Sequence, residues 1–168
     1  MNQKTLKKSA HFASVILNIG CIIFGILSAA LSVGIIIIVC VSAFSPDMLQ
    51  DAWSTAVKAG QTLSFGQCVF FFICCLGEFI SIFLALYNAK KIFGCIGKGN
   101  SPFTVKTAVQ MRKIAAYIFL FAVFTMLSVF KVTFPTFLVY CLFAFIVFCI
   151  SLIFDYGCEL QKEVDETL

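Results

Sequence analysis

Residues 65–89 read FGQCVFFFICCLGEFISIFLALYNA, an apolar run whose one charged member is Glu78. An α-helix needs roughly 20 apolar residues to cross a hydrocarbon core of about 30 Å. This stretch therefore decides the class: the chain reads as an α-helical membrane protein. Working outward, Ala13 to Phe44, Ile114 to Phe130 and Phe134 to Phe154 are three further runs free of charge. The expectation is an all-α integral membrane protein with four transmembrane helices in an up-down bundle, at about 11–44, 65–90, 102–130 and 134–164. All of it forms a single membrane domain, 1–168.

Composition agrees. The chain is 61% hydrophobic and 12% charged, with a mean hydropathy of +1.05, whereas soluble domains carry about 25% charged residues. Its 168 residues leave room for one bundle and no separate soluble catalytic domain. The 21 phenylalanines suit lipid contact and aromatic packing rather than a cofactor box.

Lysine and arginine resist translocation, so loops rich in them stay in the cytoplasm. Lys4, Lys7 and Lys8 precede the first helix, and Lys90, Lys91, Lys98, Lys106, Arg112 and Lys113 surround the connection between the second and third. The alternate connections hold only Lys58, offset by Asp47 and Asp51, and Lys131. Both termini are thus expected on the cytoplasmic side. Leu27-Ser28-Ala29-Ala30 resembles a signal-peptide cleavage region, but the apolar run continues to Phe44, which favours a retained helix. The net charge of +4 reflects residues that flank membrane helices, and no direct nucleic-acid binding is expected.

Helix one, from His11 to Phe44, would extend about 50 Å and must tilt, bend or protrude. Gly25 with Ala29, and Ala30 with Gly34, place small residues on one face. Such a seam serves either packing within the chain or a homodimer through helix one. Ser45-Pro46-Asp47 is a helix-start signal, and Gly60 a stop, for an outer amphipathic helix at about 46–59 that carries Trp53 at headgroup level. A lid over a cavity is the alternative use of that helix. Ser101-Pro102 gives a second cap and first-turn proline, for helix three. Residues 131–135 are too short for more than a tight hairpin.

Glu78 lies about eleven residues from Gln67 and twelve from Lys90, near the midplane. A central acid costs roughly 2.5–3.5 kcal/mol on insertion scales and faces a partner or a cavity. Asn18, Thr125, Ser128 and Tyr140 are its candidate companions. It is the intramembrane site candidate, acting either as protonated interhelical glue or in proton, ion or substrate handling.

The tail is acidic: Asp155, Glu159, Glu163, Asp165 and Glu166 outnumber Lys162. A helix there aligns Tyr156, Leu160, Val164 and Leu168 in a narrow apolar stripe. An electrostatic latch between this tail and the Lys90–Lys113 segment, open to competition by a partner protein, is set against a simple solvated continuation of helix four.

Catalytic chemistry finds little support. The nine cysteines form no CxxC pair and avoid both outer connections. They read as small hydrophobes. His11 is the only histidine, and His11, Cys95, Cys158 and Asp155 lack zinc-ligand spacing. No metal, no cofactor and no catalytic residue is expected, so the chain reads as no enzyme.

One resemblance enters through Gly99-Asn100-Ser101-Pro102-Phe103 leading into Met111-Arg112-Lys113-Ile114, and through the ending Phe154-Asp155-Tyr156-Gly157-Cys158-Glu159-Leu160-Gln161-Lys162-Glu163-Val164-Asp165-Glu166-Thr167-Leu168. This resembles bacterial domain-of-unknown-function family 2975, small four-helix membrane proteins with a G-x-PF-like loop and an F-x-x-G-x-x-L-Q-x-E-x-D-x-T ending. The extra residue between Gly99 and Pro102 and the high cysteine and phenylalanine content depart from it. The resemblance implies a bacterial inner-membrane setting and, by gene neighbourhood, a small helix-turn-helix regulator as partner. It offers no catalytic residues to carry over.

Two functions follow as expectations. The first is a non-enzymatic inner-membrane protein that binds or regulates another protein through the basic loop (Lys90, Lys91, Lys98, Lys106, Arg112, Lys113) and the acidic tail (Asp155, Glu159, Leu160, Glu163, Val164). The alternative is a small proton-coupled transporter or resistance protein that uses Glu78.

Overall fold

The computed structural model describes residues 3–58, 60, 64–99, 101–128 and 134–167. Five helices follow in order: α1 (Gln3–Phe44), α2 (Pro46–Lys58), α3 (Phe65–Gly97), α4 (Val105–Ser128) and α5 (Phe134–Thr167). Four of them, all but α2, are long and apolar enough to cross a membrane. The expected hairpin at Lys131 to Pro135 falls largely outside the described residues.

Each helix end has a local cause. α1 begins well before His11, because the lysine-bearing turns ahead of the apolar run are good helix formers and nothing stops them at the membrane edge. Gly60, with φ +100°, follows α2 and donates to the Val57 carbonyl at 3.0 Å. α3 starts on a capping box: the Ser64 hydroxyl accepts from the Gln67 backbone and the Gln67 side chain accepts from the Ser64 backbone. It runs past Lys90 to Gly97 and closes on Gly99, φ +86°, whose N–H bonds the Ile96 carbonyl at 2.9 Å.

α4 corrects an expectation. Its cap is Thr104, whose Oγ1 accepts from the Thr107 N–H at 3.2 Å and whose carbonyl accepts from Ala108. Ser101 instead accepts from the Phe103 N–H at 3.2 Å and so shapes a turn ahead of the helix. The start therefore moves from 102 to Val105.

Contacts run α1 along α3, α3 along α4 and α4 along α5. Their pairings are antiparallel: Asn18 meets Lys90, Phe24 meets Phe79, Glu78 meets Ser128, Arg112 meets Asp155 and Phe121 meets Tyr140. The order is up-down, but the ring is not closed. Among the described residues α1 and α5 form the two edges of a row, with at most marginal contact between them.

The packing is inside-out for a water-soluble protein. Apart from Ile92, the buried positions among the described residues are small or polar, among them Cys21, Cys74, Ala108, Ala115, Ala122, Ala144, Ser81 and Ser151, while Phe12, Ile36, Phe145 and Ile153 lie exposed and Phe44 is 87% exposed. Lipid is as apolar as leucine, so helices in a bilayer associate through close approach at small residues and leave the bulky side chains outward. Gly77 illustrates the approach: a Cβ there would stand 2.7 Å from the Phe124 ring. Gly25 of the predicted seam faces Phe83 of α3, so that part of it serves packing within the chain. Ala30 and Gly34 line an open groove with Phe72 and Phe79.

Candidate functional site

Three polar places interrupt this apolar molecule. The first is Glu78. α3 brings it against α4, where the Ser128 hydroxyl donates to Glu78 Oε1 at 2.5 Å. Ser128 is 4% exposed, and its Oγ also lies 3.2 Å from the Thr125 carbonyl. Of the four companions allowed by sequence, Ser128 is the one selected. Asn18 is engaged elsewhere, accepting from Lys90, and the Thr125 hydroxyl donates to the Phe121 carbonyl.

This chain of oxygens serves either charge state of the acid. A carboxylate at Glu78 accepts the Ser128 proton. A carboxylic acid donates to Ser128 Oγ, and the serine proton turns to the Thr125 carbonyl.

The depth differs between helices. Glu78 is midway along α3, yet Ser128 is the last described residue of α4 and Phe134, the first described residue of α5, lies near the same level. α3 continues from Glu78 to Phe65, roughly 20 Å further at 1.5 Å per residue. The carboxylate thus stands beside the last described residue of α4.

The second place gathers four of the six basic candidates. Lys90, Lys91, Lys98 and Lys106 line one groove of about 450 Å³ with Ser14, Tyr87, Gly94, Cys95 and Gln110. The Lys90 ammonium donates to Asn18 Oδ1 at 2.6 Å, and Lys91 Nζ sits 4.2 Å from the centre of the Tyr87 ring. Sequence reading ended the second helix at Lys90 and began the third at 102; α3 continues past Lys90 and so carries Lys91 as well, Lys98 follows it as the C-cap, and Lys106 stands on α4.

The third place joins α4 to α5. Arg112 donates to Asp155, each side chain being roughly two-fifths exposed. Phe103 stacks on Phe154 at 5.2 Å, and a Cβ on Gly157 would meet the Phe103 ring at 3.0 Å. Ser101 Oγ lies 3.5 Å from Gln161 Oε1. The anticipated latch between tail and lysines takes a different form. One ion pair and an aromatic contact hold the base of the tail, while the four lysines lie on the opposite side of α4. Lys113 is exposed and joins neither group.

Beyond Asp155, α5 continues without a break to Thr167. Tyr156 is 62% and Leu160 44% exposed, with Glu159, Glu163 and Val164 on the same exposed tail. Lys162 and Glu166 pair along the helix at 3.9 Å. The nine cysteines are spread over α1, α3 and α5.

Comparison with family models, curated proteins and solved structures returns no match.

Proposed function

We propose that this chain is a non-enzymatic membrane protein whose lysine-rich end faces the cytoplasm and whose acidic helical tail binds a partner protein. The observation that carries this reading is the continuation of α5 past its last membrane-like residue, Phe154, as an exposed helix with an apolar edge at Tyr156 and Leu160 beside Glu159 and Glu163. A helix with one apolar edge and one acidic face fits a groove on a basic protein. Its base is anchored by Arg112–Asp155 and by Phe103 against Phe154, so the start of the tail is held against α4 and the turn before it. The uneven lysines support the orientation, which puts α2 and Trp53 at the outer surface. The resemblance to domain-of-unknown-function family 2975 supports a bacterial inner membrane and a small helix-turn-helix regulator as the partner to look for.

The test is gentle purification from native membranes with and without residues 160–168. The full chain is expected to bring down a protein that the truncated chain, still inserted and helical, recovers at less than about a tenth of that level, a loss of roughly 1.4 kcal/mol. Equal recovery by both would sink the reading.

A second reading, proton-coupled transport, is favoured by one observation: Glu78, a carboxylate within an apolar helix, is bonded to a serine that can serve both charge states. Glu78→Gln should then abolish proton-driven export of a cationic dye from vesicles while leaving the chain assembled. Unchanged export would return Glu78 to a packing role.

A further inference from the structure

We propose that the groove between α1, α3 and α4 is a binding site for the phosphate of an anionic membrane lipid, held by Lys90, Lys98 and Lys106. The groove gathers Lys90, Lys91, Lys98 and Lys106, and among the described residues no carboxylate lines it. Lys7 adds a further cation, its ammonium lying over Gly99 next to Lys98. Like charges collected around one cavity repel, and an anion seated among them adds an attraction to each that offsets this repulsion.

Two of the lysines are already fixed. Asn18 orients Lys90 and Tyr87 supports Lys91, which lowers the conformational cost of closing them on a ligand. Lys98 and Lys106 flank the other side, and Gln110, 8% exposed, adds an amide among the lining residues.

Position chooses the source of the phosphate. Lys90 is the first cation after the apolar run of α3, so the groove lies where that helix leaves the hydrocarbon and headgroups begin. Tyr87 and Gly94 belong to the same wall, and α1 closes it at Ser14. A lipid reaches this groove sideways, with its acyl chains left along the exposed apolar flank of α1, where Val15, Ile16 and Ile19 point outward. A soluble phosphate has only the headgroup end to gain. Basic pockets between membrane helices bind phosphorylated headgroups in this way. The inference stands apart from the tail: the tail lies on the other side of α4, and partner recovery reads one without the other.

The test is native mass spectrometry of the full chain in mild detergent, titrated with phosphatidylglycerol, phosphatidylcholine or inorganic phosphate. The wild-type chain should retain phosphatidylglycerol at least about tenfold better than phosphatidylcholine, and millimolar phosphate should not displace it. Lys98→Gln and Lys106→Gln should each lower retention about fivefold, whereas Lys113→Gln, outside the groove, should leave it unchanged. The Lys98 and Lys106 side chains line the groove, so the variants should keep the wild-type elution volume and helicity; if one does not, Lys98→Arg and Lys106→Arg, which keep the charge, must retain the lipid. Equal retention of the two lipids, or an equal loss on Lys113→Gln, would reduce the groove to diffuse surface charge and overturn the proposal. Displacement by inorganic phosphate would overturn the lipid as its source.

Discussion

At the residue scale the molecule turns on how a carboxylate is kept in an apolar setting. Glu78 has one close partner, the Ser128 hydroxyl, and the contact depends on neighbouring Gly77, which lets the Phe124 ring lie against the α3 backbone. Removing the hydroxyl leaves Glu78 without its donor. Ser128→Ala is therefore expected to destabilise the protein by about 1–2 kcal/mol. Glu78→Gln, whose amide still donates to Ser128 Oγ, should cost less. Unfolding in mixed micelles measures both, and a Ser128→Ala variant as stable as wild type would mean that the hydrogen bond holds nothing. The acid itself was legible in the sequence as the one charge in a span. Its partner was not, because the choice among Asn18, Thr125, Ser128 and Tyr140 depends on relative helix heights. α4 meets α3 over only part of its length, and that sets Ser128 opposite Glu78.

At the scale of elements, apolar runs and caps read well where local chemistry acts alone. The start of α2 at Pro46, its end near Gly60 and the start of α3 at Phe65 all follow from nearby residues. The start of α4 does not. Ser101-Pro102 is the stronger local signal, but Phe103 is drawn onto Phe154 and Gly157 of α5, which keeps residues 101–103 in a turn outside the helix and passes the cap to Thr104. Thr104→Ala should accordingly lower stability by about 1 kcal/mol and increase hydrogen exchange in the first turn of α4. Ser101→Ala should stay within about 0.5 kcal/mol, as surface substitutions do. A larger loss for Ser101→Ala than for Thr104→Ala would restore the cap that sequence alone suggests.

At the scale of the whole molecule, the helix row has a physical origin in the solvent. In water an exposed flank such as that of Ile16, Ile19 and Ile23 on α1 would drive closure against α5, but in lipid there is no such force, and helices stay where small residues allow close approach. α1 and α3 meet at Gly20 and Gly25, and α4 and α5 at Ala115 and Ala144, on either side of one groove. No comparable seam joins α1 to α5 among the described residues. The four long apolar helices were legible because each carries its own apolar run; the missing closure among the described residues was not, because it depends on which faces carry small residues at matching heights. A crosslinking experiment separates the two arrangements. In a chain with its native cysteines replaced, Gly20→Cys with Leu86→Cys should link efficiently in dilute liposomes, since a Cβ at position 20 stands 3.1 Å from the Leu86 side chain. Pairs placed across α1 and α5, such as Ile19→Cys with Phe145→Cys, should remain unlinked within one chain. Efficient α1–α5 linking at high dilution would show a closed ring, and linking that rises with protein density would show instead that two chains meet edge to edge.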